Sequence, residues 1–421
     1  MRNVIDVLVE RGFIDQMTHE ELREKAEKPL KVYVGFDPTA DSLHLGNLVG
    51  IMGLAWFQKF GHTPYAILGG ATGLIGDPSG KSSERNLLDP ETLEKNVTAL
   101  DKFFKKILSR SVILNNNDWL GKFTLVEFLR DVGKHFRIGP MLAKEMVRTR
   151  LESQEGMSFT EFTYQILQGY DFYHLHRAHG VTVQMGGSDQ WGNITAGIDL
   201  NRKLGGETLY GITFPLLTRS DGKKFGKTEE GAIWLSADKL SPYQFYQHLI
   251  RVADADVIKL LKMLTFLSLE EIAHIEKGMS VPNTAQKKLA EEVTRFVHGE
   301  EGLQMALKVT EEMAPGSEAK LNGDALRQLE GEMPTAELNL SEVIGQKYVD
   351  IAVRVGLVPS KSEGSKLIKN GGAYLNNQRV AEVSQIIADT DLIDGSYLLF
   401  SAGKKKRFLI KIKYTAPTQK V

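Results

Sequence analysis

The 421-residue chain contains no cysteine, which excludes disulfide bonds, thiolate catalysis and cysteine-ligated metals. It has no run of eighteen apolar residues, so no membrane-spanning helix is expected. The first residues, MRNVIDVLVERGFIDQ, read as an amphipathic helix with acidic residues. They have neither the layout of a signal peptide nor the acid-poor composition of a transit peptide, so a cytoplasmic location is expected. Internal repeats and low-complexity tracts are also missing. Net charge is close to nil, with 52 basic against 53 acidic residues. That balance conceals a division. Residues 341–421 hold 13 Lys and Arg against 7 Asp and Glu, a net of +6, and the rest carries −7. A basic tail on an acidic body suggests a module that meets a polyanion.

Hydrophobic content of 42% and charged content of 25% are ordinary for a globular protein, and the length calls for two or three domains. The first half alternates strand and helix patterns. LKVYVGFD is a short apolar run, SLHLGNLVGIMGLAWFQKFG has helical periodicity that stops at Gly61, and TPYAILGGATG is a further strand running into glycines. Strand, helix and strand joined by short links predict a βαβ unit and a parallel sheet. VTVQMGGSDQWGN, from Val181, is another such strand. Functional groups in these sheets gather at the carboxyl ends of strands, where Asp37, Asp77 and Asp189 fall. After Gly231 the pattern is helix after helix. APGSEAKLNGDALRQLEGEMPTAEL reads as a linker, and the last segment mixes a helical start with strands such as SYLLF and RFLIKIKY.

Several stretches carry chemistry. In TYQILQGYD, Tyr164, Gln168 and Asp171 share one helix face at i, i+4 and i+7, suited either to a solvated surface or to gripping a polar ligand. In GFDPTADSLHLGN, His44 lies at the start of a helix, where free N–H groups and the dipole favour phosphate, and Thr39 adds a donor. In DGKKFGKTEEG, glycines bracket Lys224 and Lys227, with Thr228 following; such a loop can close over a triphosphate or can simply be an exposed basic connection. GDPSGKS looks like a phosphate loop but is one residue short between Gly76 and Gly80, which rejects a Walker-type ATPase; Lys81 and Arg85 remain candidate pyrophosphate contacts. His174, His176 and His179 lack the convergent spacing of a zinc site and suit a helix C-terminus.

The order of these segments resembles that of the class I aminoacyl-tRNA synthetases, and more closely the bacterial tyrosyl-tRNA synthetases. HLGN stands where that class has its HIGH signature and KFGKT where it has KMSKS. GGATGLIGDPSGK, FLRDVGKHF, SFTEFTYQILQGYDF, GGSDQWGNITAG and LAEEVTRFVHGEE are similar to that family's own segments, in its order and over nearly the whole chain. The resemblance implies an α/β fold with a Rossmann-like parallel-sheet catalytic domain (1–220), a lysine loop and α-helical anticodon-side domain (221–318), a linker (319–340) and a small α+β αL RNA-binding module (341–421).

The resemblance also implies roles. Tyr33 and Asp171 would bind the phenol hydroxyl of tyrosine. Asp77, Tyr164 and Gln168 would bind its ammonium group, and Gln190 its carboxylate. Asp37, Gly46, Asn47, Gly187, Asp189 and Lys227 would line the ATP site, with Asp189 on the ribose. Thr39, His44, Lys81, Arg85, Lys224, Lys227 and Thr228 would contact phosphates. ATP is implied as substrate with Mg2+, tRNA(Tyr) as partner, no structural metal, and a homodimer with FLRDVGKHF near its contact. Asn47 departs from the last histidine of HIGH, and Val34 from a polar or thiol-bearing residue. A tryptophan-type synthetase fits Tyr33 and Asp171 less well, since those groups suit a phenol better than an indole. A fold-retaining RNA-binding protein without activity, such as one serving in splicing, is opposed by the intact His44 and lysines.

Overall fold

Short apolar runs rich in β-branched residues become parallel strands because only a sheet covered on both faces can bury them. The first sheet contains β1 (Gln16–Met17), β2 (Lys31–Phe36), β3 (Thr63–Leu68), β4 (Val112–Asn115), β5 (Val183–Gly187) and β6 (Tyr210–Phe214), in the order β1-β6-β5-β2-β3-β4. All pairings are parallel except the short β1 against β6. Every residue of β5 and β6 is buried. In the computed structural model the described residues are 3–81, 87–228, 231–313, 321–327, 329–330, 333–403 and 406–414; the side chains of 227, 228, 324 and 325 lie outside the description. Arg85 therefore lies outside the described residues. Among the described residues no helix is long and apolar enough to cross a membrane.

The helix Leu48–Lys59 is buried continuously from Leu48 to Phe57, so it is apolar all round rather than amphipathic. It packs on β2, β3 and β5 and on the helix Asp254–Leu264. Arg11, itself buried, donates to the carbonyls of Lys262, Leu267, Leu261 and Thr265 near the end of that second helix, where carbonyls lack intrahelical partners. The chain forms two compact units. One comprises Met1–Leu240 and Gln247–Val297, the other Ser241–Tyr246 and His298–Val421. The division thus falls inside the expected 221–318 helical domain. Arg11 and the helix Leu48–Lys59 explain why residues 247–297 stay with the sheet. Gly299, at φ 77° and ψ 178°, interrupts the helical stretch Thr284–Glu312 close to the boundary.

The second unit holds a five-stranded sheet. Besides the small hairpin β7 (Lys227–Thr228) and β8 (Gly231–Ala232) of the first unit, the strands are β9 (Thr335–Asn339), β10 (Ala373–Leu375), β11 (Gln378–Arg379), β12 (Tyr397–Ala402) and β13 (Lys406–Lys413). The order is β11-β10-β12-β13-β9. Helices Tyr348–Arg354 and Lys361–Lys369 contribute to its core, where Tyr348 stacks on Phe400 at 4.6 Å. The stretch 319–340, expected to be a linker, differs from that expectation where described. Gly323–Arg327 is helical, Leu326 and Leu329 are buried, and Thr335–Asn339 pairs in parallel with β13. β9 is an edge strand, so its polar composition conceals its pairing.

Candidate active site

In the first sheet β2 is flanked by β3 and β4 on one side and by β5 and β6 on the other. The winding reverses between β2 and β5, and a crevice opens at the carboxyl ends of the two strands. A cavity of about 530 Å³ lies there. Of the residues expected from sequence, Tyr33, Asp37, Thr39, His44, Gly46, Asn47, Asp77, Lys81, Tyr164, Gln168, Asp171, Gly187, Asp189, Gln190 and Lys224 all line it. Lys227 and Thr228 are described only as backbone, in β7.

At the closed end Tyr33, on β2, is 1% exposed and its hydroxyl has no hydrogen-bond partner among the described residues. Burial and the nearby Asp171 hold its phenol well above the usual range. Asp171 projects from the helix Phe159–His179, whose N-terminus is capped by Ser158 and whose end is set by Gly180 at a left-handed φ of 69°. Its carboxylate accepts from Asn116 Nδ2 at 2.9 Å and from Trp119 Nε1 at 2.7 Å. Burial pushes the Asp171 carboxyl up to about 7 and Asp37 adds to the rise, while the Asn116 and Trp119 hydrogen bonds hold it down. Neither Asn116 nor Trp119 was singled out by sequence. Both follow β4, and the strand-end rule applied to NNNDW would have found them.

Asn116 extends this network. Its Nδ2 also donates to Thr72 Oγ1 at 2.9 Å, and Thr72 donates to Asp37 Oδ1 at 2.8 Å. Tyr164 donates its hydroxyl to Asp37 Oδ2 at 2.8 Å. A polar chain, buried except at the half-buried Asp37, therefore runs from Asp171 through Asn116, Thr72 and Asp37 to Tyr164, a second residue of the i, i+4, i+7 stripe. Position 69 must be glycine here, because a Cβ would lie 2.1 Å from Asp37 Oδ1. With its hydroxyl hydrogen engaged on Asp37, the Tyr164 oxygen remains available as an acceptor. Burial, then Asp37 and Asp77, raises the Tyr164 phenol well above its usual range.

A second cluster surrounds Asp77. Asp77 Oδ1 accepts from the Ser79 N–H at 3.0 Å, and Oδ2 accepts from Gln190 Nε2 at 2.7 Å. Asn193 Nδ2 donates to Gln168 Oε1 at 3.1 Å and to Gln190 Oε1 at 3.3 Å. Asn193 thus ties the two glutamine carbonyls together, each keeping a second lone pair. Asp189 follows β5, and its carboxyl is raised by burial and by Asp77, opposed by Lys224.

HLGN forms a short 3-10 turn, Leu45–Asn47, ahead of the buried helix. His44 Nδ1 accepts from the Gly46 N–H, and the His44 N–H donates to Asn47 Oδ1. Asn47 thus uses its amide oxygen to hold the turn. The segment is strapped to the chain that follows the lysine loop. The Leu45 N–H donates to the Ile233 carbonyl at 2.8 Å, and the Leu235 N–H to the Leu43 carbonyl at 2.9 Å. Gly226, at φ 91°, would bring a Cβ to 2.8 Å from the Gly46 nitrogen, so the two signature segments touch backbone to backbone. The expected helix-terminal histidines serve separate ends: His176 meets the Val181 carbonyl, His174 stacks on Trp119 and His179 lies by Tyr65.

The family described as tRNA synthetases class I (W and Y) matches residues 24–314, and the C-terminal domain of tyrosine–tRNA ligases matches residues 325–410. The chain is 60% identical to a tyrosine–tRNA ligase of Protochlamydia amoebophila, over 98% of this chain and 99% of that one. It is 52% identical to the chloroplastic/mitochondrial enzyme of Arabidopsis thaliana, over 97% and 84%. Among solved structures it is similar to a C-terminally truncated mitochondrial tyrosyl-tRNA synthetase of Aspergillus nidulans, at 32% identity and a TM-score of 0.63, covering 73% of this chain and 92% of that one. With this site and these relatives, the chain belongs to the tyrosyl-tRNA synthetase family of class I aminoacyl-tRNA synthetases.

Proposed function

We propose that the chain joins L-tyrosine to tRNA(Tyr) at the expense of ATP, in two steps. The tyrosine carboxylate attacks the α-phosphorus of ATP, the bond to the bridging oxygen breaks and pyrophosphate leaves. A ribose hydroxyl at the 3′ end of the tRNA then attacks the acyl carbon, and AMP leaves. No protein nucleophile is required; the protein contributes positioning and charge stabilisation. The observation that carries this reading is the partnering within one cavity. A phenol with no hydrogen-bond partner among the described residues stands beside a buried carboxyl at the closed end, and an acid–amide pair stands apart from them.

In this reading Tyr33 and Asp171 meet the substrate hydroxyl, one donating and one accepting. Asp77, the Tyr164 oxygen and the Gln168 carbonyl meet the ammonium group, and Gln190 meets the carboxylate. Asp189 and Gly187 hold the ribose, with Asp37, Gly46 and Asn47 nearby. Thr39, His44, Lys81, Arg85, Lys224, Lys227 and Thr228 neutralise the phosphates. Phenylalanine would leave Tyr33 and Asp171 unpaired in a dry pocket, which costs binding. Tyrosyl-tRNA synthetase is itself a standard illustration of that discrimination. Mg2+ enters as the counter-ion of ATP; among the described residues no group of three or more His, Asp or Glu is placed to hold a metal.

The basic module at the C-terminus takes the tRNA backbone, and the domain roles expected from sequence belong to this proposal. So does action in the cytoplasm. A homodimer through the region of FLRDVGKHF is supported by exposed apolar side chains concentrated between 125 and 159: Leu125, Val126, Leu129, Ile138 and Phe159 are each more than half exposed. The test of the whole reading is ATP–pyrophosphate exchange with tyrosine, phenylalanine and tryptophan. Exchange with tyrosine alone is expected; exchange driven by tryptophan, or none at all, refutes it.

A further inference from the structure

The helix Phe159–His179 carries Asp171 and, nearly one turn later, His174. Both side chains meet the same neighbour. Trp119 donates its indole N–H to Asp171 Oδ1 at 2.7 Å. The His174 ring lies over the Trp119 ring with centroids 4.6 Å apart and planes 14° from parallel. Trp119 sits on a helix of only four residues, Asn117–Leu120, so its ring is held by packing, in the buried cluster of Tyr33, Phe172 and Leu175 and under the His174 ring.

We propose that His174 is a positioning residue for tyrosine recognition: its ring clamps the Trp119 indole so that the indole N–H stays on Asp171 and the carboxyl group stays aimed at the substrate hydroxyl. The proposal rests on the reading of Asp171 as the phenol acceptor. Its physical content is an account of two donors. Asn116 and Trp119 are the hydrogen-bond donors that hold the Asp171 carboxyl down against burial and Asp37. An indole free to swing away leaves one of them, and the carboxyl rises further. The surroundings of His174 hold its imidazole below the usual range. Burial, then His179 on the same helix and Lys122, all disfavour a charge on it. Tyr170 flanks it at 6.1 Å. On the Asp171 side the titratable neighbours are Tyr33, Asp37, Tyr164 and again Tyr170.

The test compares His174→Ala with His174→Phe in the full-length enzyme, by pyrophosphate exchange between pH 6 and 9. Flat aromatic stacking is what Phe keeps and Ala removes. His174→Ala is expected to raise the KM for tyrosine about two- to tenfold, leave kcat and the KM for ATP unchanged, and move the acidic limb of kcat/KM to higher pH. His174→Phe is expected to restore both the KM and the limb. A wild-type profile for His174→Ala, or a His174→Phe enzyme as impaired as His174→Ala, overturns the proposal. Loss of kcat for every substrate in His174→Ala with no recovery in His174→Phe reports a fold role instead and also overturns it. Asp171→Asn separates the two levels. If that change leaves tyrosine KM and preference over phenylalanine intact, the phenol reading itself has failed. If it abolishes the preference while His174→Ala does nothing, only the His174 proposal has failed.

Discussion

Gln190 donates its amide N–H to Asp77 Oδ2 at 2.7 Å. In an α-amino acid the ammonium and carboxylate groups hang from one carbon, so residues that receive them must be neighbours. The contact meets that requirement, and it aims Asp77 by using one of its oxygens. Asp77→Asn is expected to lower kcat/KM for tyrosine on the order of 100-fold, since a hydrogen bond to a charged group is lost in a desolvated site. The control is 3-(4-hydroxyphenyl)propanoate, tyrosine without its ammonium group. As a competitive inhibitor it should bind wild type and Asp77→Asn with similar Ki. A large Ki difference would place Asp77 elsewhere on the ligand.

Burial holds the Asp171 carboxyl at about 7, so in the free enzyme it is half protonated near neutrality. The ionised form is the stronger acceptor for a phenol proton. Because kcat/KM reports groups of the free enzyme, its profile for tyrosine should fall as pH drops through about 7, approaching a tenfold loss per pH unit below that. Asp171→Asn, though far less active, should lack this limb. A limb of unchanged midpoint in Asp171→Asn would assign the titration to another group.

How much of this was legible in sequence depended on how residues are brought together. Tyr164, Gln168 and Asp171 share one helix, and helical periodicity is a local property that spacing discloses. Their partners are not local. Asn116 reaches Asp171 across 55 residues and Thr72 across 44, through the parallel pairing of β3 with β4. The strap between Leu43–Leu45 and Ile233–Leu235 is likewise invisible to spacing, as is the close approach of Gly226 to Gly46. β9 reads as linker in the sequence because an edge strand with one neighbour need not be apolar. TAELN buries little, and its pairing partner β13 lies some seventy residues on.

Helix Leu125–Asp131 has no buried residue, although it presents Leu125, Val126 and Leu129 to solvent. A monomer has little reason to expose such a stripe. Val126→Glu combined with Leu129→Glu should therefore convert a dimer at micromolar concentration into a monomer by sedimentation, because like charges would face each other across a two-fold contact. Thermal unfolding of the monomeric unit should shift little, since neither side chain packs in its core. Unchanged sedimentation of the double variant would remove this face from consideration.

The C-terminal module sets the last expectation and also where the chain should be cut. Ending it at 340 would retain β9 but remove β13, the strand on which β9 is paired, and leave Leu326 and Leu329 without the Tyr397, Leu399 and Leu409 side chains of their cluster. Such a protein would present an unpaired edge and an apolar face, and should aggregate. Ending the chain at 320 removes β9 and both leucines together, leaves only Val309 and Met313 of that cluster, and is expected to aggregate less than the cut at 340. That protein should keep tyrosine-dependent pyrophosphate exchange, because every described residue lining the cavity lies before 235. It should charge tRNA poorly, since the net charge of +6 in residues 341–421 is gone. The loss should carry an electrostatic signature. In the full-length enzyme kcat/KM for tRNA should fall steeply as salt rises, whereas the truncated enzyme starts lower and falls with a shallower slope, having fewer phosphate contacts to screen. Equal charging by the two proteins across that salt range would show that the tail takes no part in holding tRNA.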